Sequence, residues 1–152
     1  MSKASVQSLA ILAIAAGAIK MIQKYCLVTR VDCKERLELI YVRIGVAINQ
    51  WPETGNGHKN TASITKALRS WEAREYTVTD RFRTAVLLAT CERALTDLHD
   101  KLNNPHCKRL VNNILEPLAD VWKVYGHDGV MYSVWEESAA MVDQLQEILE
   151  WS

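Results

Sequence analysis

The stretch "SLAILAIAAGAIKMIQK" (residues 8–24) constrains the fold more than any other, because the sixteen residues between Lys3 and Lys20 carry no charge. Such a segment must be buried in protein, laid against a membrane or removed. As a helix it is about 24 Å long, short of the ~30 Å hydrocarbon core of a bilayer. Six Ala and one Gly further dilute its hydropathy, so a stable span is disfavoured. Two readings remain. The basic start, the apolar run from Leu9 to Ala15 and the small-x-small triplet Ala16-Gly17-Ala18 have the form of a cleavable signal. Alternatively, Ile11, Ile14, Ala15, Ala18 and Ile22 make one helical stripe and Leu9, Leu12 and Ala16 another. A helix apolar nearly all round suits the centre of a bundle. The buried helix is the favoured expectation, and with it a cytoplasmic chain over an exported or membrane-tethered one. Contact with a membrane surface through residues 8–24 is a further expectation.

The rest of the chain reads as helix upon helix. With 152 residues, 49% hydrophobic and only six Gly and three Pro, the chain is long enough for one core and poor in breakers. Asp32-Cys33-Lys34-Glu35 has the form of a capping box. Leu37, Ile40, Tyr41, Ile44, Ile48 and Trp51 then recur at helical spacing, predicting a helix over 33–51 that Pro52 ends. "PETGNGHKNT" (52–61) is a loop, and a short helix is expected over 62–75 with Ile64, Ala67, Leu68 and Trp71 inside. "EYTVTD" (75–80) is strand-like, but Thr77 or Thr79 suits the cap of a fourth helix running to about Asn103. Along that helix Leu88, Cys91, Leu95, Leu98 and Leu102 keep the three-four spacing of a bundle seam.

Asn104-Pro105 predicts an N-cap with Pro at the first helical position. The helix that follows should bury Leu110, Val111, Ile114, Leu118, Val121, Trp122 and Tyr125, bend at Pro117 and close at Gly126. Ser133-Val134-Trp135-Glu136 is a second capping box, opening a last helix with Ala139, Val142, Leu145 and Leu149 inside. The expectation is an all-α, single-domain bundle of about six helices covering residues 1–152, with a Pro117-kinked fifth helix.

Charge is balanced overall, with 18 Lys and Arg against 18 Asp and Glu, so nothing global calls for nucleic acid. Its distribution is uneven. Residues 1–31 hold four cations and no acid; residues 125–152 hold Asp128, Glu136, Glu137, Asp143, Glu147 and Glu150 and no Lys or Arg. Asp143, Glu147 and Glu150 approach the negative end of the last helix without a cation to offset them. Trp135 and Trp151 flank these acids, and Trp is a favoured interface anchor. These five residues are the candidate binding face. They point to a non-catalytic interaction protein that docks on a protein partner or on its own copies, a composition compatible with an accessory or inhibitory factor of a phage or bacterium.

Candidate chemistry is sparse. Cys26, Cys33, Cys91 and Cys107 allow two disulfides in an exported chain, in pairings that sequence alone does not assign; in a reducing compartment Cys91 is a small core residue, the favoured reading. A metal site built from Cys91, His99, His106 and Cys107 lacks paired ligand spacing, and His106 and Cys107 diverge by about 100° on a helix. "GNGHKNT" fails as a phosphate loop because His58 separates Gly57 from Lys59. Neither metal nor cofactor is expected. Glu38 stands about twenty residues before "GNGH" (55–58), and in this the chain resembles the phage-type lysozymes, some of which also carry an Ala/Gly-rich releasable N-terminal segment like residues 8–19. The resemblance implies Glu38 as general acid of a hydrolase. It departs from that pattern where the family's catalytic Asp falls on Ala47, its Glu-Gly pair on Glu38-Leu39 and its Thr on Glu53.

Overall fold

The computed structural model describes residues 3–25, 28–52 and 80–125. They form four helices and, among the described residues, no strand: α1 Lys3–Tyr25, α2 Val31–Gln50, α3 Asp80–Lys101 and α4 Pro105–Tyr125. The all-α expectation holds for them. The short helix over 62–75, the loop at 53–61, Gly126 and the closing helix from Ser133 lie outside the described residues.

The helices pack as a ring in which α1 touches α2 and α3, and α4 touches α2 and α3. Pairs across two of these interfaces fix the direction of the chains. Gln23 Nε2 donates to Glu38 Oε2 at 3.0 Å, and Lys20 Nζ lies 4.4 Å from the centre of the Tyr41 ring. Rising numbers on α1 thus meet falling numbers on α2. Likewise the Arg30 N–H reaches the Tyr125 hydroxyl at 3.2 Å, Arg36 lies 3.6 Å from Asp120, and Arg43 Nη1 donates to the Asn113 carbonyl at 2.7 Å. α2 and α4 therefore run antiparallel. Only residues 102–104 join α3 to α4, a length that serves antiparallel neighbours. The end of α2 and the start of α3 consequently lie at opposite ends of the bundle.

The first helix is the buried one. Leu9, Leu12, Ile14, Ala15, Ala18, Ile19 and Ile22 are at most 2% exposed, and among the described residues no helix is long and apolar enough to cross a membrane. Cys33, Leu37, Ile40, Ile44 and Ala47 form the inner stripe of α2, with Trp51 buried just beyond its end. The start of α2 corrects the sequence reading. The N-cap is Arg30, without a side-chain cap, and Asp32 sits inside the first turn, where its carboxylate accepts the Cys33 N–H at 2.9 Å. A negative side chain in a first turn still complements the helix dipole, so the acid acts from two residues further along.

At α4 the predicted cap forms: Asn104 Oδ1 accepts the N–H groups of His106 and Cys107 at 2.9 and 3.3 Å. All the expected core positions of α4 are buried except Tyr125, which is half-buried, and Cys107 and Pro117 join them. In α3, Leu88, Cys91, Leu95 and Leu98 are buried as the seam requires, while Leu102 is half-buried just past the helix end. Burial is broader than the seam, for Thr84 to Cys91 are all buried around the whole circumference.

Pro117 lies within the continuous helix α4. Lacking an N–H, it leaves the Asn113 carbonyl without its helical donor. The Arg43 guanidinium fills that role from α2, a charge-assisted bond on the exposed side of the helix where water would otherwise serve the carbonyl.

Candidate functional site

The five residues expected to form the binding face, Trp135, Asp143, Glu147, Glu150 and Trp151, lie outside the described residues, as do Cys26 and "GNGHKNT". The other candidates can be placed. Glu38 stands on the outer side of α2, exposed to solvent, with the Gln23 amide as its partner. Ala47, where the lysozyme pattern has its Asp, is buried in the core. Both amphipathic periodicity and the α1 contact put Glu38 on the flank of the helix rather than over its inner stripe.

Cys33, Cys91 and Cys107 are free and buried, one each on α2, α3 and α4. The Cys91 thiol is wholly enclosed and lies 3.9 Å from the Ala15 carbonyl of α1, a weak donor contact. Burial raises its pKa far above the ordinary thiol value. Burial likewise pushes up Cys33, with a further push from the Asp32 carboxylate, and Cys107. These are inert thiols, since the thiolate is the reactive form. His106 is exposed at the start of α4 while Cys91 is inside, and among the described residues no three His, Cys, Asp or Glu side chains converge to hold a metal.

Among the described surface residues, Asp32 stands in a cluster of opposite charge. Arg30 donates to it at 2.7 and 3.1 Å and Arg36 at 3.2 Å. The hydrogen bonds from Arg30 hold its carboxyl below the usual carboxylate range. Arg36 also faces Asp120 on α4, so this cluster ties the opening of α2 to α4. It is structural, and at this exposure each pair contributes little on its own.

One feature escaped the sequence reading. Among the described residues the exposed large hydrophobic side chains are Val31, Leu39, Val42 and Val46, every one on α2, with Val31 68% and Val42 52% exposed. Leu39, Val42 and Val46 lie three and four residues apart, opposite the buried stripe. Gly45 is beside them, and a methyl built on it would meet nothing within 4 Å. The packing of α1 to α4 does not require that glycine, although Gly within a helix costs about 0.5–1 kcal/mol relative to Ala. The signal was available as a second three-four spacing in "LELIYVRIGVAIN" (37–49), hidden by the stronger core stripe.

Fold and side-chain placement of the described residues together define a class: an antiparallel, all-α bundle in which Cys33, Cys91 and Cys107 and most of the described apolar side chains serve the core. Compared with family models, with curated proteins and with solved structures, the chain finds no match in any of the three.

Proposed function

We propose that the protein is a small helical interaction factor, acting by protein–protein binding through the acidic, Trp-flanked face of Trp135, Asp143, Glu147, Glu150 and Trp151, in the manner of a phage or bacterial accessory or inhibitory protein. One observation carries the reading. All 18 Lys and Arg precede residue 125, whereas 6 of the 18 acids follow it, so the last segment carries −6 and the remainder +6. A cation-free acidic segment flanked by indoles suits a basic partner surface, with Trp supplying the desolvated anchor. The inward-facing apolar side chains of α1 support recognition by this segment rather than membrane contact through residues 8–24. In the same proposal the bundle has six helices, the further two over 62–75 and from Ser133, and the helix holding Pro117 is bent there. Circular dichroism should then report more helix than α1 to α4 supply.

The test is affinity capture from the native source with the parent chain and with Glu147→Lys/Glu150→Lys. The double reversal should lose the captured partner while retaining the helical spectrum. Loss of folding instead would mean that these acids serve the chain's own structure. A hydrolase is the competing function, and a peptidoglycan lysis assay decides against the proposal if the parent chain lyses and Glu38→Gln does not.

A further inference from the structure

We propose that the outer face of α2 is a self-association surface that takes α2 of a second copy in parallel, about a twofold axis running along the two helices. The surface is built from residues of α2 alone and uses none of the five residues of the preceding proposal, so the inference stands without it. Leu39, Val42 and Val46, continued by the exposed Asn49, follow the alternating three-four rhythm of a two-stranded seam. No element among the described residues covers them, although α2 is clamped on both flanks by α1 and α4. A rigid helix is thereby held with its second apolar line outward.

Charge selects the occupant and its direction. Glu38 lies on the flank of the line that faces α1, and Arg43 lies on the flank that faces α4. They are five residues apart, the spacing at which flanking residues meet across a parallel seam. A parallel twofold sets Glu38 of each copy against Arg43 of the other, making two equivalent opposite-charge contacts. An antiparallel twofold would keep each flank on its own side and bring the two Arg43 side chains together, which is unfavourable. Arg43 can serve both roles, since one of its five N–H donors holds the Asn113 carbonyl at 2.7 Å and the others stay available. Gly45 sits on the Glu38 flank with open space above it, leaving room for the two backbones to approach.

Sedimentation equilibrium of the full chain tests the proposal. The parent should show a concentration-dependent monomer–dimer equilibrium. Val42→Glu should raise the dissociation constant at least about a hundredfold and Glu38→Arg about tenfold, with the helical spectrum unchanged and the thermal midpoint losing only the concentration dependence that dimerisation gives the parent. Mild oxidation should trap covalent dimers of Val42→Cys and also of Asn49→Cys, since a parallel seam keeps each position beside its own copy. A parent chain monomeric up to about 1 mM, or a dimer that survives Val42→Glu, would overturn the proposal. So would failure of Asn49→Cys to cross-link, or a photo-cross-link from position 42 landing on the chain's own residues 126–152.

Discussion

Arg43 and Pro117 illustrate how a single residue on one helix can be explained only by another helix. A proline in mid-helix removes the donor for the carbonyl four residues earlier, and here that carbonyl, Asn113, receives the Arg43 guanidinium instead. Loss of the arginine would hand the exposed carbonyl to water, a net cost of about 0.5–1.5 kcal/mol. Restoring the backbone donor with Pro117→Ala would make the arginine redundant at this point. In urea unfolding, Arg43→Met should therefore destabilise the parent by about 0.5–1.5 kcal/mol and the Pro117→Ala background by roughly 0.5 kcal/mol less, a coupling expected only for residues that share a partner. Equal costs in the two backgrounds would show that Arg43 acts through its aliphatic packing.

At the scale of the element, α1 decides whether there is a core at all. Its buried side chains meet α2 along one side and α3 along another, so the segment that has the form of a signal peptide is part of the described core. Ile14→Ala should cost about 2–5 kcal/mol, whereas Lys20→Ala, which removes a surface contact to the Tyr41 ring, should cost at most about 1 kcal/mol. A chain beginning at Ile19 should lose cooperative thermal unfolding altogether. The helices were legible because periodicity survives in the sequence even where termini do not: Leu37, Ile40 and Ile44 on α2 and Leu110, Ile114 and Leu118 on α4 each lie on the buried face the spacing implies.

What was not legible depended on neighbours. The full circumference of α3 from Thr84 to Cys91 is buried, and its threonines mimic a polar face. Thr90 in fact returns its hydroxyl to the Val86 carbonyl at 2.8 Å, which lets a polar residue sit inside. Asp32 looked like a cap because it precedes the apolar series, yet its two arginine partners hold it within the first turn. The apolar line of Leu39, Val42 and Val46 was masked for a related reason, since two stripes on one helix blur a single period.

At the scale of the whole molecule, the thiols of Cys33, Cys91 and Cys107, buried among the described residues, stand at separate points of one hydrophobic core, so their protonation reports on the bundle as a unit. Each is raised by burial above the ordinary value of 9.0. The folded chain therefore keeps these protons when the unfolded chain begins to lose them. Well below pH 9 the thiols make no difference to stability; as pH rises through it, the unfolded state ionises first and the native state loses ground until each native thiol also ionises, by at most about 1.4 kcal/mol per pH unit for each thiol. Asp32 acts in the opposite sense at the other end of the scale. Its carboxyl is held below 3.8 by Arg30, so its contribution is present above that value and fades as pH falls through the native one. Urea midpoints should accordingly be flat between about pH 5 and 8 and fall above 9. In Cys91→Ala, which is less stable throughout because it leaves a small cavity, the alkaline fall should be shallower by one thiol's share. An unchanged alkaline slope in that variant would mean that Cys91 reaches solvent in the native state, and that the core joining α1 to α3 is looser than the packing of Ala15 against Cys91 implies.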